Sequence, residues 1–184
     1  MPLPVELPSA LSEGLVLRLL EEDDAGRLAL AYRRNRAHLA PWEPARTADF
    51  FTVDAQRDAI TTRLAQYEAG TTVPLVLVSG TDIVGRMTLA GIVRGPFQSA
   101  SVGYWLDAGF VGRGLASAVL HATVDLARDD LGLHRLEAST LVHNLASQRV
   151  LDHAGFEQIG LAPRYLQIAG QWQDHRLFQK VLHD

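Results

Sequence analysis

Three β-rich runs follow one another between residues 73 and 106 with no helical period between them. That succession constrains the fold more than any other feature of the chain. Val73 to Ser79 and Ile83 to Leu89 flank Gly80-Thr81-Asp82, a hairpin signal, and Ser99 to Leu106 forms the next expected strand. Upstream, Leu15 to Leu19 is a strand candidate. Leu28, Ala31 and Tyr32 mark the buried stripe of one helix, with Glu22-Asp23-Asp24 placing negative charge where its dipole favours it. After the Pro-flanked loop Pro41-Trp42-Glu43-Pro44, Ile60, Leu64 and Tyr67 mark a second helix that ends at Gly70. Downstream, Leu115, Val119, Ala122 and Leu126 describe a helical stripe that stops before Gly132. Arg135 to Leu141 reads as a strand and Asn144 to Ala154 as a helix closed by Gly155. Residues 156–182 alternate well enough for two or three antiparallel strands. This order lacks the regular βαβ alternation of a doubly wound sheet. It implies an α/β (α+β) domain: a mixed, twisted sheet with antiparallel hairpins and helices on its faces.

With 184 residues, 47% of them apolar, the chain can build one sizeable core but not two. Residues 15–184 are assigned to that domain, and the Pro-rich residues 1–14 to a loosely held arm. A net charge of -4 provides no electrostatic footprint for duplex nucleic acid, so an anionic ligand needs local attraction. The absence of cysteine excludes disulfides and thiolate zinc sites and suits a reducing compartment, the cytoplasm by default. His121, His134, His143, His153 and His183 show no ligand spacing, and no metal is expected. No apolar run approaches membrane-spanning length and the first residues lack a secretory pattern, so a soluble protein is expected.

The chemistry begins at Gly112-Arg113-Gly114-Leu115-Ala116. Two glycines remove Cβ atoms where the chain leaves a strand and enters a helix, so backbone N–H groups can approach a phosphate and the helix end adds a positive field. Arg113 can add a charge-assisted contact, Ala116 keeps the first turn small, and Ser117 offers a hydroxyl. Taken alone, such a turn is equally a packing solution. It is neither a dinucleotide fingerprint, since position 117 is serine and the topology is wrong, nor a P-loop, since Leu115 and Ala116 stand where Lys and Ser/Thr belong.

Val111-Gly112-Arg113-Gly114-Leu115-Ala116 resembles the GCN5-related N-acetyltransferase (GNAT) pattern Gln/Arg-x-x-Gly-x-Gly/Ala, with valine at the first position. Asn144-Leu145-Ala146-Ser147 followed by Gly155-Phe156 resembles the helix and strand start that come after the splayed strands of that superfamily. The tail from Tyr165 to His175, with His38-Leu39-Ala40-Pro41-Trp42 and Gly103-Tyr104-Trp105-Leu106, is similar to Rim-type ribosomal-protein alanine N-acetyltransferases. The resemblance implies a GNAT fold of about seven strands and four helices with splayed central strands, and acetyl-CoA as cosubstrate. It also implies that the amides of Val111 to Ser117 hold the CoA pyrophosphate and that Trp105 and Leu106 lie along the pantetheine arm. A homodimer fits the same resemblance.

Acetyl transfer from a thioester to an amine needs a neutral amine, a polarised carbonyl and a protonated leaving sulfur. By resemblance the oxyanion donor is nearest Leu106, a backbone N–H of this kind contributing roughly 3 kcal/mol. Leu151 stands where the superfamily often has an acidic tyrosine, so Ser147 is the candidate general acid. The alternative for Ser147 is a bond to a carbonyl one turn back. Asn144 caps its helix and is a candidate contact for the pantetheine arm. Ser101 stands where a carboxylate is common, which leaves Glu137 as the candidate base, or else as the partner of a nearby arginine. An α-amine, with pKa near 7.7–8.0, is on the order of a tenth neutral at pH 7 and needs little help. Trp42, Tyr165 and His175 are candidates for the acceptor groove, with core or structural roles as the alternative. Asp174 cannot form a dyad with His175, because adjacent strand residues point to opposite faces. Three functions follow: acetylation of a protein α-amine, by resemblance on a ribosomal protein; acetylation of a small-molecule amine or antibiotic; and CoA binding without turnover.

Overall fold

The computed structural model describes residues 14–183. The expected arm over residues 1–14 therefore lies outside the described residues, Gly14 excepted. Seven strands form one sheet: β1 (Leu15–Leu19), β2 (Thr72–Ser79), β3 (Asp82–Val93), β4 (Ser99–Leu106), β5 (Arg135–Leu141), β6 (Glu157–Ile168) and β7 (Gln171–Val181). Their spatial order is β1-β2-β3-β4-β5-β7-β6. The helices are α1 (Ala25–Arg34), α2 (Arg36–Leu39), α3 (Val53–Glu68), α4 (Leu115–Asp125) and α5 (Leu145–His153). The sequence pattern predicts about four helices, and the additional one is the single turn α2, too short to show a helical period before Pro41.

Every neighbouring pair of strands is antiparallel except β4 and β5. The mixed, mostly antiparallel sheet expected from the element order is the one observed. The parallel pair is short. Ser99, Ala100 and Ser101 are in register with Arg135, Leu136 and Glu137, and pairing stops there. Tyr104, Trp105 and Leu106 continue beside Met87, Arg86 and Gly85 of β3 alone, so the middle of the sheet splays. Gly85 permits the close approach of these two strands: a Cβ there would lie 2.6 Å from Leu106 Cδ2 and 3.1 Å from the Trp105 carbonyl oxygen.

Residues 72–78 of β2 are all buried, which requires cover on both faces of the sheet. Leu75 and Leu77 join one core with Met87, Leu89, Val119, Leu120 and Leu151. Val76 and Val78 join the other with Leu28, Tyr32, Ile60 and Trp105. Helices α4 and α5 thus cover one face, and α1 and α3 the other. The helix starts follow from their caps: Thr52 Oγ1 accepts from Ala55 N at 3.2 Å ahead of α3, and Asn144 Oδ1 from Ser147 N at 3.1 Å ahead of α5. After α4 the chain widens into a π-helical turn, Leu126–Asp130, before Gly132. The tail forms two strands rather than three, because the interruption near Pro163 is a bulge in β6, with Arg164 at φ 50°, and not a strand end. Ala169 and Gly170, both at positive φ, make the two-residue turn between β6 and β7.

Candidate active site

The splay opens a cavity of about 640 Å³. Tyr104, Trp105 and Leu106 of β4 line one wall, and Asn144, Ser147 and Arg149 at the start of α5 line another. Val111, Gly112, Gly114, Leu115, Ala116 and Ser117 close one end, and His38 and Trp42 lie at the rim. The walls thus come from four separate stretches of chain, brought together by the break in β4–β5 pairing.

Gly112 and Gly114 adopt φ of 76° and 75°, where a side chain is sterically disfavoured. A Cβ at either position would meet no protein atom within 4 Å. Packing therefore does not account for the glycines; the left-handed turn does, and it keeps open the space above itself. Among the described residues, no backbone N–H from Val111 to Ser117 donates to the protein, and the first helical bond is Ala118 N to Gly114 O at 3.1 Å. A row of free N–H groups at the positive end of an 11-residue helix is a fit for a phosphate. Arg113 does not line the cavity; its guanidinium lies 5.4 Å from the centre of the Phe110 ring.

Asp107 holds the loop that enters this turn. Its carboxylate accepts from Arg34 Nε at 2.6 Å, Asn35 Nδ2 at 2.8 Å and Gly109 N at 2.8 Å. Asn35 in turn accepts from Ala108 N at 2.9 Å, tying the loop to the end of α1. Burial pushes the Asp107 carboxyl up, but these hydrogen bonds outweigh it and hold the group below its ordinary value.

Across the cavity, Ser147 Oγ lies 2.9 Å from Tyr104 OH. The serine hydroxyl bonds across the gap rather than to a carbonyl one turn back. Burial pushes the Tyr104 phenol up to about 12, against the opposing effect of the Ser147 hydrogen bond, so it is protonated at neutral pH. Leu151 is fully buried in the core and brings nothing to the cavity.

Residues 14–157 match the sequence profile of the acetyltransferase (GNAT) domain family. The chain belongs to the GNAT acetyltransferase family. It is 32% identical over 168 residues, 90% of its length and 87% of the relative's, to the ribosomal protein uS5-alanine N-acetyltransferase of Escherichia coli. Its fold superposes on the ribosomal-protein-S5-alanine acetyltransferase of Vibrio fischeri with a TM-score of 0.90 at 34% identity, covering 94% and 95% of the two chains. Mycobacterium smegmatis RimJ, solved in complex with CoA-disulfide, is similar at a TM-score of 0.86 and 31% identity, over 91% of this chain and 81% of that one. This GNAT chain is accordingly an acetyl-CoA-dependent N-acetyltransferase.

A second cavity of the acetyltransferase, about 230 Å³, adjoins the first through Tyr104 and Trp105 and is otherwise lined by Tyr32, Glu43, Arg46, Arg86, Thr88 and Gly103. Glu43 is the carboxylate among the residues lining either cavity. Burial pushes its carboxyl above the ordinary value, partly offset by Arg46, Arg86 and Arg63. Glu137 lies elsewhere: it pairs with Arg135 on β5, with Arg135 Nε 3.1 Å from its Oε1, and lines neither cavity. Trp42 lines the large cavity, its ring 5.6 Å from that of His143. Tyr165 and His175 stack with each other at 5.6 Å and line neither cavity. His175 is buried with Nδ1 2.9 Å from Gln173 O, while Asp174 accepts from Arg164 N. Among the described residues, no three His, Asp or Glu side chains cluster as a metal site, and no helix is long and apolar enough to cross a membrane.

Sequence reasoning did not single out Glu43 or assign chemistry to Tyr104. Glu43 sits in a loop pinned by Pro41 and Pro44, and a charged residue so confined was the available signal. Tyr104 belongs to the half of β4 that pairs with β3 but not with β5, and its bond to Ser147 joins residues 43 positions apart, which no local pattern reveals.

Proposed function

We propose that this acetyltransferase acts on the N-terminal α-amine of a ribosomal protein, one that begins with a small residue such as alanine. The observation that carries this reading is the likeness, over nine tenths of the chain, to ribosomal-protein alanine acetyltransferases at 32% and 34% identity. Such an acceptor places the enzyme in the cytoplasm.

Acetyl-CoA supplies an activated thioester; this chain's residues supply the rest. The amides of Val111 to Ser117 hold the pyrophosphate, with Arg113 adding charge from outside, and Trp105, Leu106 and Asn144 line the path of the pantetheine arm. The Leu106 N–H polarises the thioester carbonyl. As the amine nitrogen bonds to that carbon and the carbon–sulfur bond breaks, the Ser147 hydroxyl gives its proton to sulfur. Tyr104, protonated and 2.9 Å away, holds the Ser147 oxygen by its hydrogen bond, and Ser147 regains a proton from solvent as CoA leaves. Glu43 takes the proton lost by the amine, because its burial-raised carboxyl is a better-matched base at neutral pH than an ordinary carboxylate. Glu137, paired with Arg135 away from both cavities, has no access to this step. Trp42, at the rim, borders the acceptor's approach.

The test is release of CoA thiol from acetyl-CoA in the presence of peptides with different first residues and of small amines. Peptides beginning with alanine or serine are expected to exceed the best small amine by about tenfold or more in kcat/KM. Release with small amines and not with peptides would reassign the acceptor to a small molecule. Acetyl-CoA binding without release for any acceptor would leave a CoA-binding module.

A further inference from the structure

We infer that the second cavity is a subsite for a carboxylate carried by the acceptor a few residues from its amine, an inference that rests on the acceptor reading above. Arg46 and Arg86 line it, and Arg63 lies close enough to both for their charges to act on it. Three guanidinium groups are thus gathered around one carboxylate, Glu43, and the nearest contact to that carboxylate is a loose 3.8 Å from Arg46 Nε. Arg63 Nη1 and Arg86 Nε are buried with no hydrogen-bond partner, which is rare in folded chains. Burial and the neighbouring Arg86 bring the Arg63 guanidinium down to about 10, against the opposing effects of Tyr32 and Glu43.

Tyr32 sharpens the assignment. It is 3% exposed, and its hydroxyl oxygen accepts from Arg86 Nη1 and from Trp105 Nε1, each at 3.2 Å. Both lone pairs are then occupied, so the phenolic proton must be given to a third group. No acceptor for it occurs among the described residues. Tyr32, Arg86 and Arg46 thus bring donors to a space whose lining has Glu43 as its one carboxylate. An oxyanion with fork geometry satisfies them. Arg46 is held for this role by stacking on Phe50, 4.3 Å from its ring centre. Because Glu43 shares the wall, a monoanion suits the site better than a phosphate dianion. The volume of about 230 Å³ accommodates an Asp or Glu side chain. The cavity touches Tyr104 and Trp105, so an acceptor whose amine lies beside Ser147 projects its next residues into it.

The experiment uses matched short peptides with free α-amines that differ by one Asp-to-Asn or Glu-to-Gln exchange at the second, third or fourth residue. Binding to the CoA-loaded enzyme is measured by titration calorimetry, where no transfer occurs, and KM and kcat are measured with acetyl-CoA. At one position the acidic peptide is expected to bind on the order of tenfold more tightly, and the same advantage appears in KM. Arg86→Gln and Arg46→Gln should erase the difference between the paired peptides. Arg46 lies at the rim, so its variant serves if Arg86→Gln fails to fold. Equal affinity for acidic and neutral peptides at every position, or no measurable binding of either, would overturn the subsite. So would an acidic preference that survives both substitutions, and a phosphoserine peptide that outbinds its aspartate counterpart would overturn the choice of carboxylate. An acidic preference in binding without acetylation of any peptide leaves the subsite standing and removes the acceptor reading; acetylation without the preference does the reverse.

Discussion

Ser147 is held from two directions, its N–H by Asn144 Oδ1 at 3.1 Å and its hydroxyl by Tyr104 at 2.9 Å. In its proposed role as proton donor, it should matter to turnover and not to cosubstrate binding. Ser147→Ala is expected to lower kcat by on the order of ten- to a hundredfold with the Kd for acetyl-CoA unchanged; an unaltered kcat would remove it from the mechanism. At Gly114 the constraint is the backbone. A β-branched residue at φ 75° is strained even though space is free, so Gly114→Val should weaken acetyl-CoA binding, read by calorimetry. For Glu43 the prediction concerns pH. A base acts when ionised, so kcat/KM should fall as pH drops through its raised carboxyl pKa, and Glu43→Gln should abolish that acid limb together with most of the rate. A limb that persists in the variant would assign the titration to another group.

Among the elements, the loop between β4 and α4 depends on a single carboxylate. Asp107 joins Arg34 and Asn35 at the end of α1 to the loop that leads into the turn at Gly112 and Gly114. Its folded pKa is depressed, so its contribution to stability is present above the unfolded value of about 3.9 and is lost as pH falls through the folded value. Asp107→Asn is expected to cost about 1–3 kcal/mol at neutral pH by leaving buried donors unpaired. The cost should shrink towards acid in denaturant titrations and be accompanied by weaker acetyl-CoA binding; a pH-independent cost would deny the carboxylate this role. The elements themselves were legible because their periods are strong. Leu115, Val119 and Ala122 repeat at helical spacing, and Gly80-Thr81-Asp82 separates two β-rich runs, so α4 and the β2–β3 hairpin follow from local pattern. The single turn α2 and the bulge near Pro163 were not legible, because one turn shows no period and a bulge preserves the strand on either side of it.

In the molecule as a whole, the decisive event is the end of β4–β5 pairing at Ser101 and Glu137. One interrupted parallel pair creates the large cavity, frees the edge of β4 and sets Ser147 opposite Tyr104. The glycine turn was readable from the chain because its residues are consecutive and its glycines have a backbone reason. The second cavity was not, since Tyr32 comes from α1, Glu43 from a loop and Arg86 from β3, and only the tertiary fold makes them neighbours. For the same reason Glu137, attractive by its strand position, is occupied by Arg135, while Tyr165 and His175 pack on each other beside β7. The proposed acceptor is a ribosomal-protein N-terminus. The most direct test is mass spectrometry of ribosomal proteins from cells lacking this enzyme, before and after incubation with the purified chain and acetyl-CoA. The expected result is a mass gain of one acetyl group on the N-terminal peptide of one ribosomal protein that begins with a small residue, with the gain on the order of ten- to a hundredfold slower for the Ser147→Ala variant. An unchanged ribosomal protein set, with acetyl transfer to small amines intact, would contradict it.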